Sequence, residues 1–183
     1  MLWRKLVALL SVFVYQSDLT HAALVERRID DTQGDSATGL RPVYLPAEGV
    51  WNGLDCSQCQ LKPDIARVFG GTYSEATYRP ARGIVSVDIQ FEGVAIDVYF
   101  ILAPFSARLT TLTECLFILD GGEPATFRYQ PGAEDTEFIY EHSVFSRTDL
   151  PDANHTLRIT VPEVPHELFL NFDYAIYMYA GLF

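Results

Sequence analysis

The sequence predicts an all-β fold, an antiparallel β-sandwich of jelly-roll type. Three observations predict it: apolar and polar residues alternate in most segments after residue 42, about eight such short runs follow one another at fairly regular spacing, and helical periodicity is almost lacking. The clearest stretch is Ile84 to Leu102. Val85, Val87, Ile89 and Phe91 alternate there with Ser86, Asp88 and Gln90, and after Glu92-Gly93 the residues Val94, Ile96, Val98 and Phe100 alternate with Ala95, Asp97 and Tyr99. Two runs of period two joined by a pair ending in Gly predict a β-hairpin.

Before the sandwich, the sequence predicts a secretory signal peptide over 1–22. Arg4 and Lys5 precede the apolar run Leu6 to Tyr15, and Thr20-His21-Ala22 ends in a small residue. An apolar run of about ten residues is too short for a membrane-spanning helix, which needs ~20. Residues 23–41 read as a disordered propeptide or linker. Glu26-Arg27-Arg28 resembles a dibasic processing site that would start the mature chain at Ile29, and Ile29 to Arg41 is a polar tract without periodicity.

The sandwich domain is predicted over 42–183. Val43 to Trp51 reads as a first edge strand and Asn52 to Arg82 as loop, with a short helix around Pro63 to Val68. Thr113 to Asp120 and Ala125 to Gln130 read as strands joined at Gly121-Gly122. Further strands are expected over Phe138 to Phe145, His155 to Val161 and, last, Leu168 to Met178, with a turn over Leu150 to Asn154. The run Leu168 to Phe183 is interrupted by Asn171 and Asp173 and is too short to span a membrane, so no transmembrane segment is expected in the mature chain.

Composition narrows function. Among 183 residues, 13 Lys and Arg against 24 Asp and Glu give a net charge of −11, which argues against a phosphate-backbone partner, so no nucleic acid is expected. There are three cysteines, Cys56, Cys59 and Cys115. In a secreted chain they allow one internal bridge; Cys56 with Cys59 is the simplest pairing and Cys59 with Cys115 the alternative, with Cys115 otherwise a buried inert thiol. Zinc would need more ligands than CSQC supplies and redox chemistry a βαβ context, so no metal and no cofactor is expected. Asn154-His155-Thr156 is an N-glycosylation sequon.

Taken together, Trp51, CSQC at Cys56 to Cys59, Lys62-Pro63-Asp64, GGTYSEATY at Gly70 to Tyr78, FEGVAIDVYFIL at Phe91 to Leu102, FILDG at Phe117 to Gly121, Val144-Phe145-Ser146, NHTLRI at Asn154 to Ile159 and FDYAIY at Phe172 to Tyr177 resemble a set of mushroom-type (basidiomycete) secreted and surface proteins. The resemblance covers roughly Val43 to Tyr179. It implies a galactose-binding-like β-sandwich and no enzyme activity. Such domains are often followed by a linker and a transmembrane helix; this chain stops at Phe183, so release into the medium or the cell wall is the expectation.

Sugar recognition by a sandwich rests on aromatic faces that stack on pyranose rings, flanked by carboxylates and amides that fix the hydroxyls. The candidates are Trp51, Tyr73, Tyr78, Tyr99, Tyr129 and Tyr177, with Asp97, Asn171 and Asp173 as polar partners. Asp97 and Tyr99 are expected to share one strand face, as are Asn171, Asp173 and Tyr177. No catalytic residues are assigned. Asp88, Asp97, Asp120 and Asp173 are not bracketed by a recognisable motif, and His142, His155 and His166 stand apart without GxSxG or HExxH. The expected protein is a secreted, non-catalytic module binding cell-wall or surface glycans; the competing reading is a structural or adhesive wall protein acting through protein contacts.

Overall fold

The computed structural model describes residues 23–181, so the predicted signal peptide lies outside the described residues. In chain order the strands are β1 (Ala23–Asp30), β2 (Gly34–Asp35), β3 (Val43–Leu45), β4 (Trp51–Asn52), β5 (Ser74–Tyr78), β6 (Ser86–Gly93), β7 (Ala95–Leu102), β8 (Thr113–Leu119), β9 (Ala125–Tyr129), β10 (Ile139–Arg147), β11 (Ala153–Thr160) and β12 (Leu168–Gly181). Single 3₁₀ turns at Ile65–Arg67, Phe69–Gly71 and Pro80–Arg82 are the only helical elements among the described residues. The fold is all-β, with two antiparallel sheets, as the alternation predicts.

One sheet runs β10-β7-β12-β1-β2, and the other runs β3-β6-β11-β8-β9. The long strand β12 organises the first. On one side it pairs with β7; on the other it pairs with β5 through Leu168 to Phe172 and with β1 through Tyr174 to Gly181, so that β5 and β1 lie end to end. β4 then extends the sheet beyond β5. Apolar residues of both sheets meet in one core in which Val87, Ile89, Ile96, Val98, Phe100, Phe117, Leu157, Ile159, Phe172 and Tyr177 are closed to solvent. The stacked pair Phe117 and Phe145, with ring centroids 4.8 Å apart, sits within it. Each such side chain contributes roughly 1.5–3 kcal/mol through burial.

The predicted hairpin over Ile84 to Leu102 is corrected. β6 and β7 do not pair with each other: β6 lies between β3 and β11, whereas β7 lies between β10 and β12. The chain crosses from one sheet to the other at Gly93 and Val94, where Val94 N–H donates to the Met178 carbonyl at 2.8 Å. Both runs point their apolar side chains into the same core from opposite sides. Alternation reports which face is buried but not which strand is the partner, so it cannot separate a hairpin from a crossover. By contrast, β8 and β9 do form the predicted hairpin, with Asp120 and Gly121 both at positive φ as a tight turn demands.

The disordered reading of 23–41 is also corrected. All of β1 pairs with β12 and Ile29 is fully buried, so the arginine pair lies inside a strand; cutting before Ile29 would remove most of β1. Arg27 covers the Tyr179 ring at 3.7 Å, and Arg28 is bound to Glu26. The aperiodic tract that follows is a built turn. Asp35 accepts from Ala37 N–H, Thr38 Oγ1 and the buried Tyr177 hydroxyl, the last at 2.9 Å. Short Asp, Thr and Ser side chains bonding nearby backbone replace hydrophobic periodicity here, which is why the tract resembles linker. The predicted strand Val43 to Trp51 divides into β3 and β4, which belong to different sheets, and the predicted loop Asn52 to Arg82 contains β5.

His155 is buried, with Nδ1 2.6 Å from Asp120 and Nε2 2.8 Å from the Pro151 carbonyl. Burial opposes its charge, but acceptors at both ring nitrogens outweigh that and raise its pKa. Cys115 is buried in the core as a free thiol, and burial pushes its pKa up. We expect Cys115 to be unreactive toward an aromatic disulfide reagent in the folded protein and to react fully in denaturant; rapid labelling without denaturant would contradict its placement.

Candidate functional site

The outer face of the first sheet carries a polar cleft. Asn52 on β4, Glu75 on β5 and Asn171 on β12 are directly opposite one another across three adjacent strands, so their side chains share that face. Thr77 and Phe169 form the next row. The loop bearing Gln58 and Gln60 and the segments bearing Arg82 and Arg108 rise around these rows, enclosing a cleft of about 380 Å³. The Cys56–Cys59 disulfide is part of its wall.

Glu75 is the distinctive group. Its side chain is buried, Oε2 has no hydrogen-bond partner among the described residues, and burial pushes its pKa up to about 7. Both amide atoms of Asn171, in the same row, are likewise buried without a partner. Glu167, also in the lining, is well satisfied. It accepts from Thr110 Oγ1 at 2.7 Å and Arg79 Nε at 3.0 Å, and these hold its pKa below the usual range despite partial desolvation. The cleft thus presents amides, hydroxyls, guanidinium groups and a carboxyl group that is protonated for part of its population near neutrality. That set can both donate to and accept from a polyhydroxylated ligand.

A second polar cluster marks the junction where β1 ends and β5 begins. Asp31 accepts from Thr72 Oγ1 and Ser74 Oγ, each at 2.7 Å, and from Thr32 Oγ1; Asp30 accepts from Thr32 N–H, Gln33 N–H and Thr72 Oγ1. Asp173 accepts from Phe69 N–H at 3.1 Å, but its Oδ2 is buried without a partner among the described residues, and burial raises its pKa to about 7. This cluster joins strand ends to the overlying 3₁₀ turns and does not line the cleft.

The aromatic candidates from sequence are dispersed, and none lines the cleft. Tyr73, Tyr78 and Tyr177 are corrected as sugar-stacking residues because all three are buried. Tyr73 packs with Val68 and Ile101, Tyr78 donates to the Val164 carbonyl, and Tyr177 lies in the main core. Trp51 is half-buried against Tyr44, with centroids 4.8 Å apart, and donates to the Leu45 carbonyl. Tyr129 is half-buried on the other sheet. Asp97 and Tyr99 do share a half-exposed face, but the Tyr99 ring stacks on Tyr174 at 4.6 Å. Asn171 and Asp173 share the outer face as expected, whereas Tyr177 does not join them. An irregularity in the β12–β7 register between Phe172 and Tyr174 reverses the alternation beyond it. Cys56 pairs with Cys59, and Asn154 is exposed near the start of β11, paired with Glu92, rather than in the predicted turn. Sequence reasoning missed Glu75, whose only signal is an acidic residue within an alternating SEATY run.

No known family model matches the chain, and no curated protein matches it. Solved structures do. A family 35 carbohydrate-binding module from Clostridium thermocellum aligns at 16% identity and TM-score 0.40, covering 66% of this chain and 86% of that one. An exo-β-1,3-galactanase from Phanerochaete chrysosporium aligns at 14% identity and TM-score 0.45 over 86% of this chain, and the Agl-KA catalytic domain at 11% identity and TM-score 0.46 over 94%. This chain spans 30% of the length of each of those two.

Proposed function

We propose that the protein is a secreted, non-catalytic glycan-binding module and that the β4-β5-β12 cleft is its binding site. The observation that carries this reading is the convergence of Asn52, Gln58, Gln60, Glu75, Thr77 and Thr110 around one cavity of ligand size. A sugar ring presents closely spaced hydroxyls that donate and accept. Asn52, Gln58 and Gln60 are exposed at the lining, and their amides both donate and accept. Phe169 contributes apolar surface at the lining.

The competing reading, a structural or adhesive wall protein, is favoured by the burial of Tyr73, Tyr78 and Tyr177, which removes them from any stacking surface. A pull-down of the protein on insoluble chitin, β-glucan, cellulose and xylan decides between them. The glycan reading expects retention on one polymer and release by the matching oligosaccharide. Flow-through on all four, with self-association, would replace it by the adhesive reading.

A further inference from the structure

We propose that reduction of the Cys56–Cys59 disulfide converts this wall of the cleft into a Zn²⁺ site, with Cys56, Cys59 and Glu75 as protein ligands. The proposal is independent of the sugar reading. CSQC alone supplies two thiols at the spacing common to zinc-binding pairs, which is too few. The fold supplies the third ligand from a distant part of the chain: Sγ of Cys56, Sγ of Cys59 and a carboxylate oxygen of Glu75 all lie within 4.8 Å of one another.

Zn–S bonds of about 2.3 Å and Zn–O bonds of about 2.0–2.2 Å place neighbouring tetrahedral ligands roughly 3.5 Å apart, so once the disulfide is cut the two sulfurs must part from bonding distance while the carboxylate closes in by about an ångström. Both cysteines are half-buried in a surface loop that can make that adjustment, and Glu75 is held in the sheet. The second observation is the Glu75 side chain itself. It is only 5% exposed, its Oε2 has no hydrogen-bond partner among the described residues, and one of its carboxylate oxygens lies within 4.8 Å of both sulfurs. A divalent ion bound there would satisfy it. Three protein ligands leave a fourth tetrahedral position open, as in sites that keep an exchangeable water.

The chemistry balances with a named reductant. A trialkylphosphine and water reduce the disulfide to two thiols and give the phosphine oxide; Zn²⁺ then displaces both thiol protons as it binds. The oxidised protein lacks the thiolates, so the site exists in one redox state only. Cys115 does not complete the set, being enclosed in the core.

Anaerobic titration with Co²⁺, a coloured probe for Zn²⁺ sites, tests this on the whole protein. The phosphine-reduced protein should develop sulfur-to-cobalt charge-transfer bands and the intense visible bands of a tetrahedral ion, both erased by one equivalent of Zn²⁺. The oxidised protein should show neither. Glu75→Gln should weaken Co²⁺ binding at least tenfold and alter the visible bands while retaining the charge-transfer bands, and Cys56→Ser should abolish them with an unchanged far-ultraviolet circular dichroism spectrum. A colourless reduced protein would overturn the proposal, as would a Glu75→Gln variant identical to wild type or equal binding by the oxidised form.

Discussion

Asp173→Asn should make the folded protein more stable at pH 8, by up to about 4 kcal/mol, and leave it nearly unchanged at pH 3. The carboxyl group is fully enclosed, with its pKa raised from 3.8 to about 7 mainly by burial and further by the neighbouring Asp31 and Asp30. At about 1.4 kcal/mol per pKa unit, a rise of about three units sets the size of the effect. Because the folded pKa lies above the unfolded one, the folded state holds more protons between pH 4 and 7. Its contribution is present below pH 4 and lost as the pH rises through 7. Asparagine mimics the protonated acid and keeps an oxygen to accept from Phe69 N–H. Glu75, raised to about 7 by burial, acts in the same direction, so a shallower slope should persist in the variant. Urea unfolding at the two pH values checks this. Destabilisation at pH 8 would mean that Asp173 is ionised and satisfied.

Gly93→Ala should cost about 2–3 kcal/mol, the scale of overpacking in a filled site. A Cβ at Gly93 would run into the Met178 carbonyl and lie 3.2 Å from Tyr177 Cδ2. The obstacle is backbone of β12, which is paired on both sides and cannot give way. The experiment also separates the two ways of joining β6 to β7. A solvent-exposed hairpin turn with ordinary backbone would accept alanine within about 0.5 kcal/mol; a crossover against β12 would not. Urea midpoints of wild type and variant give the answer.

The elements whose burial alternates were legible in the sequence. Val87, Ile89 and Phe91, then Ile96, Val98 and Phe100, are core residues as read, and the β8–β9 hairpin forms where Gly121 permits its turn. Partner choice was not legible, because period two is the same for a hairpin and for a crossover. β1 was hidden by Glu26, Arg27 and Arg28, whose side chains lie along the sheet, and the polar turn after it is held by Asp30, Asp31 and Asp35 rather than by apolar contacts. The site was hardest to read. Tyr and Trp are the residues expected to face a sugar, yet a large aromatic ring is also the best core filler, and Tyr177 and Tyr78 fill core. Glu75 and Asn171 meet only because β5 and β12 are adjacent, a pairing between segments far apart in sequence.

Glycan binding at the β4-β5-β12 cleft is tested by comparing three proteins on whichever polysaccharide retains the wild type. Gln58→Ala with Gln60→Ala removes two exposed amides from the cleft wall without touching the core, whereas Tyr129→Phe alters the opposite sheet. The double variant should lose at least tenfold in affinity for the matching oligosaccharide while Tyr129→Phe binds as wild type. Undiminished binding by the double variant, or loss confined to Tyr129→Phe, would contradict it.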